Sequence, residues 1–185
     1  MKFQQITFNI LDEVRDVLKQ VRNQDIKDFI DIIARTERIF VVSGGREALA
    51  SRAFAMRLMH LGKTTYYVWD DTTPRIGENN LLIANCGPGS VVSVYNVARL
   101  AKEAGASVST VTANPDGDIA KLSDVVVFLP AQVMGVDKKV RPSIQPMGSL
   151  FEQCLWIFHD SVTLMLMERM KKTASDMSKR HRNVE

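Results

Sequence analysis

The chain predicts an α/β protein, a single doubly wound parallel sheet of five strands with helices leading into it and a long helix closing it. Three observations carry that prediction. Short apolar, β-branched runs alternate with stretches whose apolar residues recur at helical spacing. Two of those runs, at 38–43 and 81–85, end in glycine-bearing turns that open helices. With strand order 2-1-3-4-5 those two turns meet where the order reverses, which is where open α/β sheets hold their ligands.

Taken in order, residues 7–21 read as an amphipathic helix with Ile10, Leu11, Val14, Leu18 and Val21 on one stripe. Residues 25–35 repeat the pattern through Ile26, Phe29, Ile30 and Ile33. Arg38 to Ser43 is the first buried strand. Gly44-Gly45-Arg46 follows it, then a helix to about Leu61 that Gly62 stops. Thr65 to Trp69 is rich in β-formers and reads as the second strand, followed by the turn Asp71-Thr72-Thr73-Pro74.

The third strand, from Leu81, runs into Asn85-Cys86-Gly87-Pro88-Gly89-Ser90, the stretch around which the chain is organised. A helix over 91–104 carries Val94, Val97, Ala98 and Ala101 and stops at Gly105. Ser107 to Thr112 is strand four, a short helix covers 119–122, and Val125 to Leu129 is strand five. Residues 131–148, with the basic pair Lys138-Lys139, look irregular. A long helix from Ser149 to about Lys172 carries Leu155, Phe158, Val162, Met165 and Met170, its methionines read as core or interface. His159 and Asp160 fall on its exposed side and receive no role. Residues 173–185 form a polar tail expected to move unless a partner subunit holds it. The whole of 1–185 thus reads as one domain: leading helices to 36, core over 37–130, irregular loop, long helix over 149–172, tail.

Composition narrows the function classes. The net charge of +3 is local, because residues 168–185 hold six Lys/Arg against three Asp/Glu and the remainder balances at 18 of each. A neutral body with a basic tail argues against a nucleic-acid partner. No 18-residue apolar run suggests a membrane span. Cys86 and Cys154 form no paired motif, which suggests reduced thiols and a cytoplasmic location.

On Phe54-Ala-Met-Arg-Leu-Met-His-Leu-Gly62, Thr72-Thr73-Pro74, Gln145-Pro-Met-Gly-Ser-Leu-Phe-Glu-Gln153 and Arg180-His-Arg-Asn-Val-Glu185 the chain resembles the sugar isomerase (SIS) domain proteins of the 6-phospho-3-hexuloisomerase type. The resemblance implies a flavodoxin-like five-stranded fold and a homotetramer built as a dimer of dimers, with sites at subunit contacts completed by a neighbour's tail. It implies interconversion of 3-hexulose 6-phosphate and fructose 6-phosphate through an enediol, without metal or organic cofactor. It also implies that Glu152 is the base, with His181, or second to it His60, as the acid or ring-opening partner. The ligand set implied is Gly45, Arg46, Glu47, Thr72, Thr73, Cys86, Gly87, Gly89, Ser90 and Ser93. Other readings of these residues stand beside that one. Ser149-x-x-Glu152 is a capping-box pattern, and one glutamate can both cap and catalyse. His60 suits a helix C-terminus for reasons of dipole alone.

The phosphate loops break the family pattern. After the third strand the family loop resembles S-G-S-G-x-T-x-S, whereas this chain has Cys86, Pro88 and Val91 where hydroxyls stand. After the first strand it resembles G-x-G-R-S-G, and Glu47 replaces the serine. A hydrogen bond to a charged group contributes roughly 1.5–3 kcal/mol, so losing about three weakens phosphate binding thousands-fold before Glu47's repulsion is counted. A non-catalytic SIS domain that binds a sugar derivative is therefore the second reading. A dinucleotide site is the third, and Gly44-Gly45 lacks the spacing it needs.

Overall fold

A computed structural model describes residues 2–136 and 139–184. Two helices, α1 (Phe3–Leu18) and α2 (Asn23–Arg35), precede β1 (Arg38–Val42), α3 (Glu47–Leu61), β2 (Thr64–Tyr67) and β3 (Asn80–Ala84). Then come α4 (Val92–Glu103), β4 (Ser107–Thr112), α5 (Asp118–Leu122), β5 (Val125–Phe128), α6 (Ser149–Arg169) and α7 (Ala174–Ser178). The five strands form one parallel sheet in the order β2-β1-β3-β4-β5. The predicted order and switch point are those of the molecule. Among the described residues no helix is long and apolar enough to cross a membrane.

Strand alternation explains why the central strands are apolar without interruption. Ile39, Val41, Leu81 and Ile83 face one layer with α1, α2, α3 and α6. Phe40, Val42, Leu82 and Ala84 face the other, with α4 and α5. Covered on both faces, β1 and β3 present nothing polar between their first residues, Arg38 and Asn80, and their C-terminal ends.

Helix ends follow chemistry that is partly visible in the sequence. Gly62 and Gly105 adopt positive φ, and in each case the next amide reaches back across the last turn, Lys63 to Leu58 and Ala106 to Ala101. The same geometry closes α6 at Lys171, a non-glycine at φ 54, so the helix stops at Arg169 and not near Lys172. Helix α1 runs 3–18 and not 7–21. Its buried stripe is Val14 and Val17 with Glu13, which leaves Leu11 half-exposed on the rim and Val21 beyond the end. Strand β2 ends at Tyr67, before Trp69, because the Asp70 amide and the Thr73 hydroxyl both bond the Tyr67 carbonyl and peel the chain from the sheet edge.

Two expectations about the second half need correction. His159 is buried, not exposed, and its ring stacks on Phe54 with centroids 4.2 Å apart. Asp160 is exposed as expected. The tail is also ordered in part. Thr173 and Asp176 form a reciprocal cap, the Thr173 hydroxyl accepting from the Asp176 amide at 3.1 Å, and α7 packs on α3. The irregular loop is held by Glu13, which accepts from the Ser143 hydroxyl at 2.6 Å and the Ile144 amide at 2.8 Å. Lys138 of the basic pair lies outside the described residues, as does Glu185 of the C-terminal motif.

Candidate active site

The site is assembled from three chain segments that the fold brings to one end of the sheet. β1 delivers Ser43 to Arg46 and the first turn of α3, β3 delivers the loop 85–90, and α6 delivers its first turn. Parallel crossovers send α3 and α4 to opposite faces, so a crevice opens between the ends of β1 and β3.

Arg46 and Glu152 define its mouth. The guanidinium Nη1 lies 2.6 Å from Glu152 Oε2 and 3.1 Å from the Ser149 hydroxyl. The Ser149 contact has hydrogen-bond geometry, whereas the approach to Glu152 Oε2 is an ion pair without an aligned bond. Arg46 is 63% exposed and Glu152 only 16%, so the carboxylate is the sheltered member and the arginine the solvent-facing one. A cleft of ≈ 190 Å³ opens beside them, lined by Leu49, Ala50, Gln153 and Trp156.

Glu152 does not cap its helix. The cap position is Gly148, and no side chain bonds the first-turn amides there. Ser149 sits one residue too late to cap, and its hydroxyl is used by Arg46. The capping-box reading of Ser149-x-x-Glu152 is therefore overturned, and both side chains turn to the crevice.

Glu47 lies deeper. Its Oε2 accepts the Gly87 N–H at 3.0 Å. Burial pushes its pKa up to about 7; the Gly87 bond holds part of that back, and the neighbouring Glu152 charge adds to it. Gly87 has no room for a side chain, since a Cβ there would lie 2.8 Å from Glu47 Oε1 and 2.8 Å from Val133 Cγ1. Cys86 is buried beneath, its thiol pKa raised by that burial, with the Val91 amide offsetting part. Gly89, at φ +73, packs against Asn114 and donates its amide back to the Cys86 carbonyl. The Gly87 and Gly89 amides of this loop are therefore both already engaged. Ser90 and Ser93 are exposed on the solvent side of α4's start, and Gly45 is exposed at φ +56.

The SIS domain family profile matches residues 32–134, more than half of the chain. A Bacillus subtilis protein named 3-hexulose-6-phosphate isomerase is 34% identical over 185 residues, covering both chains from end to end. The chain belongs to the SIS domain family. A Mycobacterium gastri protein of the same name is 37% identical over 176 residues, covering 95% of this SIS chain and 88% of its relative. A solved Methanococcus jannaschii protein, for which a 3-hexulose-6-phosphate isomerase function was inferred, superposes with a TM-score of 0.81 at 30% identity. The match covers 97% of each chain.

Not all the expected SIS site residues meet within one chain. Arg46, Glu47, Gly87 and Glu152 do. His60 sits at the far end of α3, about 20 Å from Glu47 at 1.5 Å per residue. Its ring stacks on His181 at 5.4 Å, so the tail of this chain docks at the wrong end of α3 to reach its own Glu152. Burial first, then Arg57 and His181, lower the His60 pKa, which argues against a role as a charged helix-end residue. Thr72 is exposed and Thr73 is spent on the Tyr67 carbonyl, in a turn beyond β2 on the other side of β1 from the crevice.

One buried group escaped sequence reasoning. Under the crevice Asn85 Nδ2 donates to the Ser51 hydroxyl at 2.9 Å and lies 3.4 Å from His159 Nε2. A signal existed: Leu155, His159, Val162 and Leu166 recur at i, i+4, i+7 and i+11, all buried. Counting histidine as polar hid it.

Proposed function

We propose that this SIS chain interconverts 3-hexulose 6-phosphate and fructose 6-phosphate. The observation that carries the reading is a half-buried carboxylate, Glu152, paired with Arg46 at the switch-point crevice of a chain whose end-to-end relatives bear that activity in their names. The reaction moves a carbonyl from C3 to C2. A base removes the C2 proton, the electrons form the enediol, and the same base returns a proton to C3 while a hydroxyl proton passes from O2 to O3. In this proposal Glu152 carries the carbon-bound proton and Arg46 balances the charge that builds on the oxygens. Arg46, Ser90 and Ser93 border the substrate, and Thr72, on the far side of β1, does not. A coupled assay for fructose 6-phosphate with purified protein tests the reading, and no turnover of either sugar phosphate would overturn it.

The proposal includes a homotetramer and a cytoplasmic location. Exposed Leu49, Met56, Trp156 and Ile157 border the cleft and its flank, where a second copy would cover them. Two buried free thiols fit a reducing compartment. Because His181 lies far from Glu152 within one chain, we assign it to a neighbour's site. Co-expressing Glu152→Gln with His181→Ala, each inactive alone, is then expected to restore about a quarter of wild-type activity, since random pairing leaves one site in four intact. Activity that stays at the level of the single variants would remove His181 from a shared site.

A further inference from the structure

We infer that Glu47 is the residue that sets anion selectivity in this crevice: its charge occupies the Gly87 amide that a substrate phosphate would use, so the phosphate enters only as Glu47 takes up a proton and yields that amide to the stronger anionic acceptor. The inference deepens the isomerase reading and rests on it.

The seat is shaped for the carboxylate. Glu47 Oε2 accepts from Gly87 N at 3.0 Å. The absence of a side chain at Gly87 is what lets Glu47, Val133 and Phe151 close on that amide, because an added Cβ would sit 2.8, 2.8 and 3.1 Å from them. Val133 and Phe151 are apolar and buried, so the carboxylate gains little from water on that side.

Charge around Glu47 is unfavourable to a second anion. Glu152 faces it from α6 and the buried Cys86 thiol faces it from the loop after β3. The cation of the crevice, Arg46, lies on Glu152, and among the described residues no ion pair joins Glu47 to a base. A sugar phosphate dianion would thus meet two carboxylates and one guanidinium. Protonation of Glu47 changes this at one stroke: a negative charge disappears, the carboxylic acid becomes an O–H donor, and its bond to Gly87 N–H drops from charge-assisted to neutral strength, so a phosphate oxygen can compete for that amide. The proton comes from solvent and no other bond is made or broken. Burial puts that protonation near neutral pH, at about 7.

The test is steady-state kinetics of wild type and Glu47→Gln with fructose 6-phosphate from about pH 7 to 9, above the second phosphate pKa of about 6. The wild-type KM is expected to rise about tenfold per pH unit above pH 8, and the Gln variant to stay flat with a KM about tenfold lower at pH 8. Calorimetry of wild type and Glu47→Gln with inorganic phosphate in two buffers of different ionisation enthalpy is expected to report about one more proton taken up per phosphate by the wild type at pH 8. A wild-type KM as flat as the variant's, or equal proton uptake by the two proteins, would overturn the inference. So would a Gln variant that loses kcat with KM unchanged, since Glu47 would then be moving substrate protons. If neither protein turns over a sugar phosphate, the isomerase reading falls, and proton uptake on phosphate binding still decides the role of Glu47.

Discussion

Replacing Glu152 with glutamine is expected to lower kcat by roughly 10²–10⁴-fold, the usual contribution of a positioned acid–base group. The side chain keeps its shape beside Arg46, but it loses its charge and can no longer take a proton from carbon. Substrate binding loses little, so KM is expected to change far less than kcat, the pattern of an interaction made only on the way over the barrier. Stability is expected to survive. The ion pair to Arg46 has one partner 63% exposed, and pairs of that kind contribute roughly 0–1 kcal/mol. For a chain of this size that corresponds to a melting shift of no more than about 4 °C. Thermal melts of both proteins alongside the kinetics separate the two effects. Full activity in the Gln variant would remove Glu152 from the mechanism, and a large loss of stability would mean that the pair is a fold element.

The fold was legible because burial on both faces leaves a strong mark. Ile39 to Val42 in β1 and Leu81 to Ala84 in β3 are apolar without a break, and α3 and α4 carry their stops in Gly62 and Gly105. Where the sequence misled, the cause was local chemistry that two sites share. Ser149-x-x-Glu152 and Thr173-x-x-Asp176 are the same kind of pattern, yet only the second forms the reciprocal cap. At 149 the chain enters through Gly148 and Arg46 competes for the serine, a competitor 103 residues away that no local reading can supply. The Glu47 to Gly87 bond spans 40 residues, and Glu13 grips Ser143 across 130. Sequence reading identified Glu47 as a bad neighbour for a phosphate, but not that its carboxylate already sits on the loop amide. His159 was lost for another reason. Helical spacing put it on the buried stripe, and only the habit of reading histidine as a surface residue moved it out.

That buried histidine leads to the second large effect, an acid sensitivity with a single dominant source. His159 is enclosed, its Nδ1 has no hydrogen-bond partner among the described residues, and burial holds its pKa down to about 3 against an ordinary 6.5. The sign follows from linkage. A folded pKa below the unfolded one means that the unfolded chain binds the extra proton first, so stability is intact above about pH 6.5 and drains away as pH falls toward 3. At 1.36 kcal/mol per unit, the loss between pH 8 and pH 4 is about 3 kcal/mol and reaches about 5 at its limit. Glu47 works in the opposite sense: its raised pKa contributes stability below an unfolded value of 4.5 that disappears as pH climbs to about 7. His159→Leu keeps an apolar body against Phe54 and leaves Asn85 its bond to Ser51, so it removes the titration without opening a polar hole. Urea titrations at pH 8, 6 and 4 are expected to show the variant gaining on wild type by about 3 kcal/mol over that span. A constant difference at all three pH values would mean that His159 is protonated without strain, and the floor of the crevice would then have to be open to water.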